Sequence, residues 1–224
     1  MDGADLSLDQ HGAARLDRAA LPVLDALEAV LASCPRNRAG VRLHGIPGLA
    51  PLLAADTPIG RIIAGRLGSS ARPVRAILFD KTPGANWLLG WHQDRTIAVR
   101  ERHDTPGYGP WSTKAGVQHV EPPFAVIEAM VTLRIHLDDV SADNAPLLIA
   151  PGSHRLGRIA EPDIAATVER CGTAVCLAER GDLWAYATPI LHASTPSSGH
   201  AHRRVLQVDY AAGALLAPLE WAGI

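Results

Sequence analysis

The sequence predicts a mainly β protein, an antiparallel barrel or sandwich preceded by N-terminal α-helices. Three observations carry this expectation. Apolar residues recur at helical spacing up to about residue 70, and the period shortens to that of strands after Pro73. The apolar runs beyond are short and separated by Gly, Pro, Asn and Asp. A length of 224 residues with 47% apolar and 20% charged content supplies a substantial core within a single domain over 1–224.

Leu16, Ala20, Val23, Leu24, Leu27, Val30 and Leu31 predict the first long helix, with Pro22 in its first turn and its end near Ser33. Gly40, Gly45, Pro47 and Gly48 mark a loop. Thr57 before Pro58 has the form of an N-cap followed by proline at the first helical position. That helix turns Ile59, Ile62, Ile63 and Leu67 inward and ends near Gly68. The helical part thus covers about 1–70 and the β core about 72–212. Predicted strands are 74–80, 87–94, 125–137, 147–150, 173–177, 182–186, 190–194 and 203–210. Residues 100–123, rich in Pro, Gly and polar groups, are expected to form a long loop that acts as a lid or a binding loop.

Composition excludes several classes. The formal charge is −2 and only Lys81 and Lys114 represent lysine, so there is no basic footprint for nucleic acid. No apolar stretch is long enough to span a bilayer. The acidic start lacks a basic segment leading into an apolar run, so no secretory leader is expected and a cytoplasmic location is. Cys34, Cys171 and Cys176 make neither a disulfide framework nor a paired zinc motif, and read as small buried hydrophobes. The expected partner is a small-molecule substrate, with the chain a monomer or homodimer.

The chemistry concentrates in the second half. Eight of ten histidines follow residue 90, and six of ten aromatic residues fall between Phe79 and Phe124. On a strand, residues i and i+2 share a face, so His-x-Asp aims an imidazole and a carboxylate at one point. A histidine from a neighbouring strand then completes the two-histidine, one-carboxylate face of non-haem Fe(II) oxygenases. Three pairs are candidates: His92–Asp94, His119–Glu121 and His136–Asp138. The second runs into Pro122-Pro123 and belongs to the loop. Spacing alone leaves the first and third open. His192 and Ser194 share a face of a late strand, and Arg203 follows His192 by eleven residues. A guanidinium facing into a barrel implies an anionic partner, held by a two-pronged contact with a hydroxyl beside it. Arg204 points to the other face.

The ordered segments WHQD (91–94), LRIHLDDVSADNAPLLIAPGSH (133–154), RGDLWAYATPILHAS (180–194) and RRVLQVDYA (203–211) resemble the phytanoyl-CoA dioxygenase family of iron- and 2-oxoglutarate-dependent oxygenases. The resemblance spans about 74–211. It implies a double-stranded β-helix, a jelly-roll of the cupin-like type, with helices packed on one side. It also implies that His92, Asp94 and His192 bind Fe(II), that Arg203 and Ser194 hold the distal carboxylate of 2-oxoglutarate, and that Gln93 and Arg134 lie at the cosubstrate. The chemistry implied is oxidative decarboxylation of 2-oxoglutarate to succinate and CO2, using O2, coupled to substrate hydroxylation. An aspartate at 94 favours hydroxylation, because related halogenases place a small residue there.

Trp91, Tyr108, Trp111 and His136 are expected to line the substrate pocket. Asn144-Ala145 departs from the family's usual Asn-Gly, where glycine reaches positive φ more easily. His200 and His202 are read as a solvated loop pair, and Lys81 and Asn86 as turn residues within reach of the pocket. Two other classes share the barrel: a redox-neutral metal enzyme and a non-catalytic binding domain. Arg203 discriminates against the first, which needs no 2-oxoglutarate anchor, and the intact ligand set against the second.

Overall fold

The computed structural model describes residues 6–35, 38, 40–82, 86–198 and 202–224, so His200 lies outside the described residues. The N-terminal part holds α1 (Leu8–His11), β1 (Ala13–Leu16), α2 (Leu21–Leu31), β2 (Val41–Leu43), α3 (Leu49–Leu52) and α4 (Pro58–Leu67). There follow β3 (Arg72–Lys81), β4 (Leu89–His92), β5 (Ile97–Val99), β6 (Trp111–Lys114), β7 (Val117–Val120), α5 (Phe124–Glu128) and β8 (Val131–His136). The last stretch holds β9 (Leu147–Ile149), α6 (Ile164–Cys171), β10 (Ala174–Cys176), β11 (Leu183–Ala187), β12 (His192–Ser194) and β13 (Arg203–Ala211).

Strands β1-β11-β8-β13-β3-β2 form a six-stranded major sheet and β10-β9-β12-β4 a four-stranded minor sheet. Every pairing is antiparallel. The chain passes from β3 to β4 and from β8 to β9, then from β11 through β12 to β13, changing sheet each time. That alternation is the double-stranded β-helix. A third sheet, β5-β7-β6, stands at its side.

Helix α2 buries Leu24, Leu27 and Leu31, one stripe at helical spacing. In α4 the Thr57 Oγ accepts from the Gly60 N–H at 3.0 Å and donates to the Ala54 carbonyl at 2.7 Å. Gly60 itself is required by close approach, since a Cβ there would stand 1.8 Å from the Ala54 carbonyl oxygen. Both helices pack on Leu206, Val208 and Tyr210 of β13 and on Ala76 and Leu78 of β3, forming the main core outside the major sheet. By the two-residue period of strands, the other face of β3 and β13 carries Arg75, Ile77, Phe79, Lys81, Val205, Gln207 and Asp209 into the space between the sheets. The barrel interior is therefore mixed, with polar groups along β3 and β13 and an apolar cluster where Leu147 and Ile149 of β9 meet Trp184 and Tyr186 of β11.

The structure corrects the expected elements in three places. Residues 100–123 are not one irregular loop, because β6 and β7 form a hairpin within them. The predicted strand 125–137 begins as helix α5, and only its second half is β8. The N-terminal third is not wholly helical: β1 pairs with β11 and β2 with β3, giving the major sheet its two edges.

Candidate metal centre

His92 ends β4 and His192 begins β12, and the two are direct partners across the antiparallel pair. Their ring centroids are 4.3 Å apart. Asp94 lies two residues beyond His92, and one ligand atom from each of the three side chains lies within 4.8 Å of the others. His92 Nδ1 donates to the Gly90 carbonyl at 2.8 Å, and His192 Nδ1 donates to the Ile190 carbonyl at 2.9 Å. Only an N–H can bond a carbonyl, so each ring keeps its Nε2 lone pair for a ligand. Burial, with His92 beside it, pushes His192 down to about 4, so that ring is neutral. Burial would raise Asp94, but Arg75 at 3.2 Å, with the two histidines, holds its carboxyl below the usual range. Arg75 is in turn paired with Asp209, which accepts from Thr132 Oγ1 at 3.0 Å. Two imidazoles and one carboxylate on one side of a centre, each oriented by an outer partner, fit an octahedral Fe(II) with open positions.

The His136–Asp138 pair does not converge. Asp138 pairs with Arg204 at 2.7 Å on the helix side, while His136 faces the interior. Glu121 pairs with Arg158 at 2.9 Å, away from His119.

Beside the three-residue cluster lies a nest of buried cations. Arg203 and Lys81 are direct partners across β13 and β3, and are 2% and 1% exposed. Arg203 Nη1 donates to the Ala145 carbonyl at 2.6 Å, while its Nε is buried without a partner. Lys81 Nζ donates to Ser194 Oγ at 3.2 Å and to the carbonyls of Trp87 and Thr195. Burial, then Arg203 and Arg134, pushes Lys81 down to about 8. Arg134 Nη1 donates to Gln207 at 3.0 Å and leaves its Nε unpartnered. None of these cations has a carboxylate partner among the described residues, a costly arrangement that an incoming anion relieves. His136, two residues from Arg134, has both ring nitrogens buried without partners and is held neutral by burial, Arg134 and Arg203.

Ala145 adopts φ of 50°, so the turn keeps its left-handed residue although glycine is absent. This conformation costs an L-residue about 1–2 kcal/mol, against about 0.5–1 kcal/mol for the added chain freedom of glycine. Ala145→Gly is expected to raise stability by roughly 0.5–1 kcal/mol, read as a higher midpoint in urea unfolding.

Four expected site residues are engaged by other elements, though Trp91 and Gln93 also line one cavity with His92. Gln93, between the two ligand candidates, donates to the carbonyls of Gly157 and Pro189 and accepts from the Ile159 N–H. Its amide is spent on tying β4 to the neighbouring loops. Trp91 alternates with His92 and packs on the outer face with Ile159, Leu191 and Ile164 of α6. Tyr108 and Trp111 pack against the satellite core of Val120, Ile127 and Trp221. Sequence reasoning passes over Arg75 and weighs Lys81 as a pocket residue against an exposed or turn residue. The signal was present in β3, where Arg75, Ile77, Phe79 and Lys81 share one face.

A family model described as phytanoyl-CoA dioxygenase matches residues 61–205. HygX from Streptomyces hygroscopicus, solved with nickel and 2-oxoglutarate bound, has a similar structure at 13% identity and a TM-score of 0.60, covering 91% of this chain and 84% of HygX. AviO1 from Streptomyces viridochromogenes Tue57 is similar at 19% identity and a TM-score of 0.60, covering 94% of this chain and 95% of AviO1. EctD from S. alaskensis, solved with bound Fe, is similar at 16% identity and a TM-score of 0.61, covering all 100% of this chain and 83% of EctD. HygX has also been solved with hygromycin B. These likenesses show a shared fold. No curated protein sequence matches significantly.

Proposed function

Because the chain belongs to the phytanoyl-CoA dioxygenase family, we propose that it is a non-haem iron oxygenase that uses 2-oxoglutarate and O2 to hydroxylate a small molecule, acting as one domain. The observation that carries this reading is the His92, Asp94, His192 cluster standing beside a buried cationic nest that lacks carboxylates. In this reading His92 Nε2, His192 Nε2 and Asp94 hold Fe(II). Arg203, Ser194 and Lys81 receive the distal carboxylate of 2-oxoglutarate, and Arg134 adds positive potential. Iron and 2-oxoglutarate supply the oxidising chemistry, with succinate and CO2 as coproducts. The protein's own residues set geometry and surroundings. Arg75 orients Asp94, the Gly90 and Ile190 carbonyls fix the two rings, and Phe79 and Ile77 exclude water. The bound metals and ligands of HygX and EctD support the cofactor assignment.

Anaerobic addition of Fe(II) and 2-oxoglutarate is expected to produce a weak visible charge-transfer band, followed by succinate release in air with a substrate panel. Absence of both the band and succinate would sink the proposal.

Lys81 also sets a pH dependence. Its proton is held less tightly than usual in the free site, and an anion beside it favours the charged form. Above pH of about 8 the site must take up a proton to bind the dicarboxylate. Affinity for 2-oxoglutarate is therefore expected to fall by up to about tenfold per pH unit there. Lys81→Arg, which keeps its charge, should flatten the profile, and a wild-type profile already flat to pH 10 would remove Lys81 from the contact.

A further inference from the structure

A second set of cations stands beside Arg75, apart from the nest around Arg203. In the β2–β3 pairing Arg42 lies beside Ile77, on the face that carries Arg75, Phe79 and Lys81 inward. The third sheet reaches the same place through Val117 and His119 of β7. By the β6–β7 register, Lys114 and Ser112 share one face with Val117 and His119, opposite the face that packs Trp111 and Val120 into the satellite core. Arg42, Arg75 and His119 line one crevice.

The charges there are unbalanced. Asp94 and Asp209 are both engaged by Arg75. Among the described residues, Arg42 and Lys114 have no carboxylate partner, and the Arg42 Nε is buried without a hydrogen bond. Burial lowers Arg42 and Lys114, and each is lowered further by its cationic neighbours, Arg75 for the first and Arg42 for the second. Lys114 also feels Asp94, which sets it within electrostatic reach of the metal ligands. His119 is 1% exposed. Its Nδ1 donates to the Val117 carbonyl at 3.0 Å, and its buried Nε2 has no partner. Neutral and with that tautomer, Nε2 is an acceptor that calls for an O–H or N–H.

We propose that Arg42 and Lys114 form an oxyanion-recognition site beside Arg75, with His119 accepting from an adjacent donor. The substrate is then a small acid, a carboxylate, sulfate or phosphate ester, carrying a hydroxyl or amine near its charged group. This deepens the oxygenase reading and rests on it. Convergent cations also raise the local concentration of an anionic substrate and speed its capture.

The test is calorimetric titration of sodium sulfate, and separately sodium acetate, into the protein already saturated with Fe(II) and 2-oxoglutarate without O2. The nest around Arg203 is then filled and does not compete. At least one ion is expected to bind saturably. The Arg42→Ala/Lys114→Ala double variant is expected to bind it at least tenfold more weakly, with 2-oxoglutarate affinity within twofold of wild type, which also reports an intact fold. Arg42→Lys, which keeps the charge, should recover part of the loss. No saturable binding in the wild type, or equal affinity in the double variant, overturns the proposal. In air, acids paired with their neutral amides or esters should release succinate selectively with the acids; equal stimulation by the neutral members also overturns it. A wild type that shows neither the charge-transfer band nor succinate release refutes the oxygenase reading instead, and the ion titration, repeated without iron, still decides whether the site exists.

Discussion

Arg203→Ala is expected to raise the 2-oxoglutarate concentration needed for half-saturation by roughly 10²–10³-fold, while Fe(II) binding changes little. Losing a buried charged contact typically costs about 3–5 kcal/mol, and about 1.4 kcal/mol is tenfold in affinity. The expected figure sits at the lower end because Lys81 and Arg134 remain to attract the anion. Arg203 is suited to the contact because it is buried, is fixed on one side by the Ala145 carbonyl, and has a free Nε on the other. Arg203→Lys should recover little, since a point charge cannot reproduce a planar two-pronged contact. Titration of the charge-transfer band gives the affinity and succinate release gives the turnover. An unchanged requirement would remove Arg203 from the cosubstrate site.

His192→Ala is expected to abolish iron-dependent turnover and to weaken Fe(II) binding by more than about 100-fold, because loss of mere outer partners already costs about 10–100-fold. The fold should survive. Residue 192 pairs with Ile149 and His92 through its main chain, which the substitution keeps. Circular dichroism separates folding from binding, and equilibrium metal titration measures the loss. Asp94→Asn should also weaken Fe(II) binding, since the amide that replaces the carboxylate carries no charge. Normal turnover in His192→Ala would refute the ligand assignment.

Much of the fold was legible because long periodic elements declare themselves. Helix α2 shows its leucine stripe, α4 its Thr57-Pro58 start, and β3 and β13 are long enough for alternation to register. β1 and β2 are four and three residues, too short to stand out from helical surroundings. The apolar run containing α5 and β8 fits either period, so length alone decided and decided wrongly for its first half. Prolines and glycines around β6 and β7 hid a hairpin whose partner strand, β5, lies in a separate run. At the site, the convergence of residues 92, 94 and 192 was foreshadowed by spacing, and the resemblance chose between pairs that spacing left equal. Tyr108 and Trp111 pack elsewhere, since nearness in sequence is not nearness in space. Trp91 alternates with His92 along β4, yet both border one cavity. Arg42 and Arg75 depend on cross-strand register, which no single segment reveals.

The pairing of β4 has a consequence for how the protein holds together. This strand is four residues long, forms the outer edge of the minor sheet, and among the described strands pairs only with β12, across a pairing with a register shift. Its grip on its neighbour comes from few main-chain bonds. The proposed ion would join the last residue of β4 to the first of β12, a clasp fastened where the seam is weakest. Fraying of that seam and departure of the metal are then a single event viewed from two sides, so the apoprotein opens first at residues 89–94 and the loaded protein pins them.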